Sequence, residues 1–274
     1  MKTKNKLVLF ILILALIAVV FIVIVWPSIY DHQCKNRVYN DMESSLSSVE
    51  SSNIRIISVS GNEDEGIGYS AGASGVIFDH NDGRYYALTA YHVINAEDAD
   101  HFIVATALTP SFDEYKKGKG ITGHIPQSDY YEMMPEAKVE YQSEKSDLAI
   151  ISFQSKEELD IVELADNNPR NGDRIAVVGN PDNTEGHFIH SFGKVTSSEE
   201  IDFEAGDGQL SNRVLKHSAY EAPGSSGGAV YSEQMQLVGI NIGGGTDFFG
   251  RFRYGAMIPC EQINECIDEW SKEQ

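Results

Sequence analysis

The chain has 274 residues, 42% hydrophobic and 10% aromatic, enough for a sizeable buried core. Charged residues make up 23%, an ordinary share that excludes wholesale disorder, and three cysteines are too few for a disulfide scaffold. The 41 acids against 21 bases give a formal charge of −20, a surface that repels phosphate backbones and argues against nucleic acid as a partner.

In chain order, the first element is apolar. Leu7 to Trp26 runs without a charged side chain. As a helix, at about 1.5 Å per residue, it spans roughly 30 Å, the hydrocarbon thickness of a bilayer. Lys2, Lys4 and Lys6 precede it, so the positive-inside rule predicts a cytoplasmic tail over 1–6 and a transmembrane helix over 7–26, with the rest outside. The lipid bilayer is then one partner of the chain. A cleavable signal peptide needs a shorter apolar region and small residues at its exit, where this sequence has Trp26, Ile29 and Tyr30. A lipoprotein signal needs small residues before the cysteine, whereas Asp31, His32 and Gln33 precede Cys34. Residues 1–26 hold three of the 21 bases and none of the 41 acids, which leaves 18 bases against 41 acids outside, a charge of −23.

Residues 27–53 read as a linker. From Tyr39 to Asn53 it is polar and serine-rich, a tether by composition, with a short helical stalk as the alternative. From residue 54 the pattern changes to short runs rich in Val, Ile, Tyr, Phe and Thr, bounded by Gly, Asn, Asp and Pro. They cover 54–61, 72–79, 84–94, 101–108, 138–142, 147–153, 174–180, 188–197, 214–220, 227–232 and 236–244. This spacing predicts an all-β sandwich or barrel pair rather than βαβ units. One helix is expected last, over about 259–271, with Pro259 at its start and Ile263, Ile267 and Trp270 on one face.

Three segments carry chemistry. Gly224-Ser225-Ser226-Gly227-Gly228 can present a serine hydroxyl on a tight turn, with backbone N–H groups converging as an oxyanion hole requires. Alone it also fits an α/β-hydrolase or a glycine-rich hairpin. The former needs a histidine after the serine, and His217 is the last one. Subtilisin-like order needs alternating helices and parallel strands, which are not expected here. His92 follows the apolar strand ending in Thr89-Ala90, where a short helical turn begins, and Asp147 stands at the mouth of the apolar strand Leu148-Ala149-Ile150-Ile151. An ionised Asp in such a place needs partners, and a histidine N–H is a good one. His92, Asp147 and Ser226 therefore occur in the order His, Asp, Ser.

Ala73-Ser74-Gly75-Val76-Ile77, Leu88 to Ile94, Asp147-Leu148-Ala149-Ile150, Gly179-Asn180-Pro181 and Pro223 to Gly228 together resemble trypsin-like (chymotrypsin-fold) serine proteases. With Gly239-Ile240-Asn241, they look most like the bacterial HtrA-like branch. The resemblance covers about 54–259. It implies two six-stranded antiparallel β-barrels, about 54–160 and 161–258, with the active site in the cleft between them. By position it makes His92 the general base, Asp147 its orienting partner and Ser226 the nucleophile, with the Gly224 and Ser226 N–H groups as oxyanion hole. It implies a protein or peptide substrate and hydrolysis without metal or organic cofactor. A catalytically silent, peptide-binding module is the alternative.

The sequence departs from that pattern in two ways. HtrA-like enzymes carry a C-terminal PDZ domain, and this sequence ends soon after the last expected strand. Ser225 stands where the family has Asn, and where zymogen-activated relatives have Asp, so cleavage after Arg55 is not expected as a switch. The resemblance puts the substrate pocket at Tyr220 and Glu221, with Asn241 and Gly243 along one wall. Glu221 pointing inward favours Lys or Arg before the scissile bond. Pointing outward, the expected orientation, it leaves a pocket for small or apolar residues. His217 reads as a structural strand residue. His187 and His190 are too sparse for a zinc site. Whether Cys34 pairs with Cys260 or Cys266 stays open.

Overall fold

In a computed structural model, the structure describes Val19 and residues 26–62, 66–123, 125–180, 188–205 and 210–274. The predicted membrane segment, apart from Val19 and Trp26, lies outside the described residues, as does the side chain of Cys34. Among the described residues no helix is long and apolar enough to cross a membrane. The chain forms two compact units, residues 1–44 and 45–274.

Helix α1 (Trp26–Ser45) carries the described part of the first unit. Pro27 stands in its first turn, where a missing N–H breaks no bond. The segment expected as a tether is thus helical to Ser45, in line with the stalk alternative. Arg37, Met42 and Glu43 are good helix formers, and Met42 is buried. The second unit begins before the expected boundary at 54. Two 3₁₀ turns, Leu46–Ser48 and Glu50–Ser52, bury Leu46 and Ser52. The Ser52 hydroxyl and the Asn53 amide each donate to the Val49 carbonyl at 2.7 Å, turning the chain into the first strand.

The first barrel contains β1 (Asn53–Asn62), β2 (Gly66–Tyr69), β3 (Ala73–Asn81), β4 (Arg84–Ala90), β5 (His101–Thr106), β6 (Glu136–Ser143) and β7 (Leu148–Gln154). They pair antiparallel in the order β2-β1-β3-β4-β7-β6-β5, and β1–β5 pairing closes the ring. Six strands make the barrel, as the resemblance implies, and β2 is appended to β1. Its core holds Ile54, Ile77, Val104, Ile151 and Phe153. Strand β7 alternates Ala149, Ile151 and Phe153 into this core, while Leu148 and Ile150, on its other face, are equally buried. A strand buried on both faces reads as the continuous apolar run seen in the sequence.

The second barrel contains β8 (Arg174–Gly179), β9 (Ile189–Lys194), β10 (Ile201–Ala205), β11 (Leu210–His217), β12 (Ala229–Tyr231), β13 (Leu237–Thr246) and β14 (Phe252–Pro259). The order is β10-β11-β14-β13-β12-β8-β9. The Thr196 N–H donates to Lys216 and the Ser218 N–H to Lys194, both at 2.9 Å, joining the end of β9 to β11 and closing six strands with β10 appended. Ile175, Val177, Leu215, Val230 and Met257 fill this core.

Strands β2, β10 and β14 lie outside the runs expected from sequence. β2 and β10 are the two appended strands, whose side chains do not need an apolar face. β14 opens with the exposed Arg253 between half-buried Phe252 and Tyr254, and its register comes from a partner, β13. The short helices α2 (Tyr91–Ile94), α3 (Phe112–Gly118) and α4 (Ser128–Tyr131) accompany the first barrel. Only α2 is foreshadowed in the sequence. The last helix, α5 (Cys260–Glu273), follows β14 directly. It buries Ile263 and Trp270, each contributing about 2–3 kcal/mol relative to exposure. Trp270 packs on Phe78 and Tyr86, and Tyr141 donates to Glu269 at 2.7 Å, so this helix straps the second barrel to the first. Burial pushes the Cys260 and Cys266 thiols up to about 11 and about 12, leaving both as inert packing groups.

Candidate active site

His92 stands in the first turn of α2, directly after β4. Asp147 lies in the turn that enters β7, the strand paired with β4. The Ala90–Leu148 register therefore brings the two residues together. Asp147 has a left-handed backbone, φ 50°, a conformation Asp tolerates in turns. Its carboxylate is fully buried and accepts three contacts from one residue. The His92 backbone N–H donates to Oδ1 at 2.9 Å, and His92 Nδ1 lies 3.1 Å from Oδ1 and 2.9 Å from Oδ2. The Tyr91 N–H donates to the Asp147 carbonyl at 3.0 Å, fixing the helix turn against this strand end. With Nδ1 facing the carboxylate, Nε2 is the ring nitrogen left to take up a proton. That ring is 20% exposed, open on one side.

The Ser226 loop reaches the same place from the second barrel. Ala222 to Ser225 form a β-turn closed by the Ser225 N–H on the Ala222 carbonyl at 3.0 Å. Pro223 takes its second position and Gly224, φ 92°, its third, the residue pair that a type II turn demands. Gly227, φ 81°, packs against the end of β4. A Cβ there would collide with the Ser74 carbonyl and the Thr89 hydroxyl and lie 3.2 Å from the Ala90 nitrogen. The loop thus abuts the strand that delivers His92. The Ser226 hydroxyl itself makes no hydrogen bond to His92 or any other described residue. The Gly224 and Ser226 N–H groups donate to no described acceptor, so both are available to a ligand oxygen.

Ser74, on β3, was not among the residues singled out for a role, yet it is the junction of the two barrels. Its N–H donates to the Ser226 carbonyl at 2.9 Å and its hydroxyl to the Gly224 carbonyl at 2.8 Å. The same hydroxyl accepts from the Asn180 N–H at 2.7 Å, and the Ser74 carbonyl accepts from Thr89 at 2.8 Å. No local sequence signal marks this, because its partners on the serine loop lie 150 and 152 residues away.

The expected pocket residues are placed unequally. Tyr220 is 62% exposed and packs edge-on against Phe252. Glu221 points inward, correcting the expected outward orientation: its Oε1 would lie 2.8 Å from a Cβ on Gly244 of β13. Loop residues follow no period-2 rule, so the sequence carries no signal for this. Burial pushes the Glu221 carboxyl above its usual range, and the neighbouring Asn241 amide pulls the other way. Asn241 is fully buried beneath the serine loop, so its side chain is a support there rather than an open pocket wall. Gly243 lies under the Phe203 ring of β10, an aromatic not anticipated here. Of the two histidines too sparse for a zinc site, His187 lies outside the described residues and His190 packs on Phe192.

Comparison with known proteins agrees with this architecture. The family model for the trypsin-like peptidase domain matches residues 73–240. A probable periplasmic serine endoprotease DegP-like of Rickettsia prowazekii (strain Madrid E) is 26% identical over 138 residues, half of this chain and 26% of its own length. A serine protease Do-like HtrA of Lactobacillus helveticus is 26% identical over 175 residues, 63% of this chain and 35% of its own length. The chain thus spans only a quarter to a third of the length of these relatives. The matched residues run from β3, which carries Ser74, through the strand ends bearing His92 and Asp147 to the serine loop and β13, and the chain belongs to the trypsin-like peptidase domain family.

Proposed function

We propose that the chain is a serine endopeptidase acting outside the cytoplasm, anchored by the apolar run over 7–26. The observation that carries the reading is the seating of His92 Nδ1 on the Asp147 carboxylate, beside a serine loop with two uncommitted N–H groups. Ser226 attacks the scissile carbonyl as His92 Nε2 takes the hydroxyl proton. Asp147 holds the ring and stabilises the imidazolium that forms. The oxyanion is received by the Gly224 and Ser226 N–H groups. His92 then protonates the leaving amine, and water hydrolyses the acyl-enzyme by the same sequence. The Ser226 hydroxyl is bonded to no described residue, and apo sites commonly tighten such a contact only with substrate bound.

Tyr220, Glu221 and the β13 stretch around Gly243 line the pocket for the residue before the scissile bond, with Asn241 beneath it. An inward Glu221 makes Lys or Arg the favoured residue there. The location outside the cytoplasm rests on Lys2, Lys4 and Lys6 before the apolar run and on the likeness to a probable periplasmic endoprotease.

A serine-reactive fluorophosphonate applied to the full chain, beside Ser226→Ala, tests the reading. Labelling of wild type alone is expected. No labelling of either would replace the enzyme by a silent peptide-binding module.

A further inference from the structure

Beneath the serine loop lies a buried polar pair with no obvious structural duty. His217, at the end of β11, is fully buried, and its ring lies flat against Gly255 of β14 in space only glycine leaves. Its Nε2 is 3.2 Å from Asn241 Oδ1. Because Oδ1 can only accept, the proton of the ring sits on Nε2. That bond fixes the Asn241 amide the other way round, with Nδ2 donating to the Ser225 carbonyl at 3.3 Å. The Gly228 N–H donates to the same carbonyl at 3.0 Å. The Asn241 backbone also brackets the loop, accepting from the Gly227 N–H and donating to the Gly228 carbonyl, both at 2.8 Å.

The 225–226 peptide is planar and trans, so its C=O and N–H point in opposite directions. A Ser225 carbonyl held inward by Asn241 and Gly228 therefore turns the Ser226 N–H outward. We infer that His217, acting through Asn241, is a positioning residue that sets the Ser226 N–H as an oxyanion donor. A ring that merely filled space would not need Nε2 on an amide oxygen, and a leucine would fill nearly the same volume. The inference rests on Ser226 being the nucleophile, as proposed above.

The experiment compares the full chain with His217→Leu and His217→Gln, the latter keeping an N–H to offer Asn241. Read together are kcat and KM on a peptide ester, the rate of fluorophosphonate labelling, and thermal unfolding. Losing one oxyanion donor costs about 10²–10³ in turnover, so a misdirected one should cost about 10–100-fold. Expected is that loss in kcat and in labelling rate for His217→Leu, with KM unchanged and most of it recovered in His217→Gln. A folded His217→Leu that labels as fast as wild type overturns the positioning role alone. A rise in KM at constant kcat also overturns it, making His217 a pocket support. Should His217→Leu not fold, Asn241→Ala carries the same test with the same readings. A wild type that does not label at all defeats the nucleophile assignment, and this inference falls with it.

Discussion

Ser74 in the first barrel donates its N–H to the carbonyl of Ser226 in the second, 2.9 Å away, and its hydroxyl to the carbonyl of Gly224. One buried residue, through its backbone and its side chain, thereby fixes the serine loop at two points on either side of Ser225. It also anchors the end of β8 through the Asn180 N–H. The loop that carries the proposed nucleophile is thus held from the barrel that carries His92 and Asp147.

Ser74→Ala keeps the backbone bond and deletes the hydroxyl, removing its bonds to the Gly224 carbonyl and the Asn180 N–H. The Gly224 carbonyl left unpaired costs about 1–3 kcal/mol, and the lost Asn180 bond adds to it. Denaturant unfolding should show a loss within a few kcal/mol, and kcat should fall about tenfold as the Gly224 turn loosens. Full stability and full turnover together would mean that the junction can be dispensed with.

Asp147→Asn should leave the fold intact and nearly abolish hydrolysis. The carboxylate accepts from both the backbone N–H and Nδ1 of His92. An amide has one oxygen for these two donors. If that oxygen keeps the backbone N–H, the NH₂ group faces Nδ1, which must then accept. The ring proton moves to Nε2, where it blocks uptake of the Ser226 proton. In such triads the exchange costs about 10⁴ in turnover. A variant with near-wild-type kcat would remove Asp147 from the mechanism.

Glu221→Gln tests the inward pocket acid. Peptides with Lys or Arg before the scissile bond should lose about 10–100-fold in kcat/KM, since a buried charge partner disappears. Peptides with Val or Ala at that position should change little. An equal loss for all of them would mean that Glu221 shapes the loop rather than reading the substrate.

How far the sequence reaches is visible in these residues. His92 and Asp147 were legible because each sits at the end of an apolar strand, and strand ends are set by local pattern. The continuous burial of β7 made its sequence plain. Ser74 and Asn241 were not legible as the scaffold of the serine loop, because their partners on it are 13 to 152 residues distant and their own segments read as ordinary strands. β14 was missed for a related reason: its half-exposed opening carries little signal until β13 supplies the register.

His217 should also give the chain a pH-dependent stability distinct from its effect on catalysis. Burial lowers its imidazole from 6.5 to about 4, against a weaker opposing pull from the Asn241 side chain and the Ala219 backbone. Glu221 is the ionisable group facing it through Asn241. Above pH 6.5 the ring is neutral in both folded and unfolded chains, and stability is at its plateau. As pH falls below 6.5 the unfolded chain takes up the proton and the folded chain does not, so stability declines until the folded ring titrates near 4. Across that window the loss is about 3 kcal/mol from this group. His217→Gln has no such proton to take up, so its unfolding free energy should fall less steeply between pH 6.5 and 4, by roughly that amount. Urea unfolding at half-unit steps measures it, and parallel curves for the two chains would show that His217 titrates normally in the folded state.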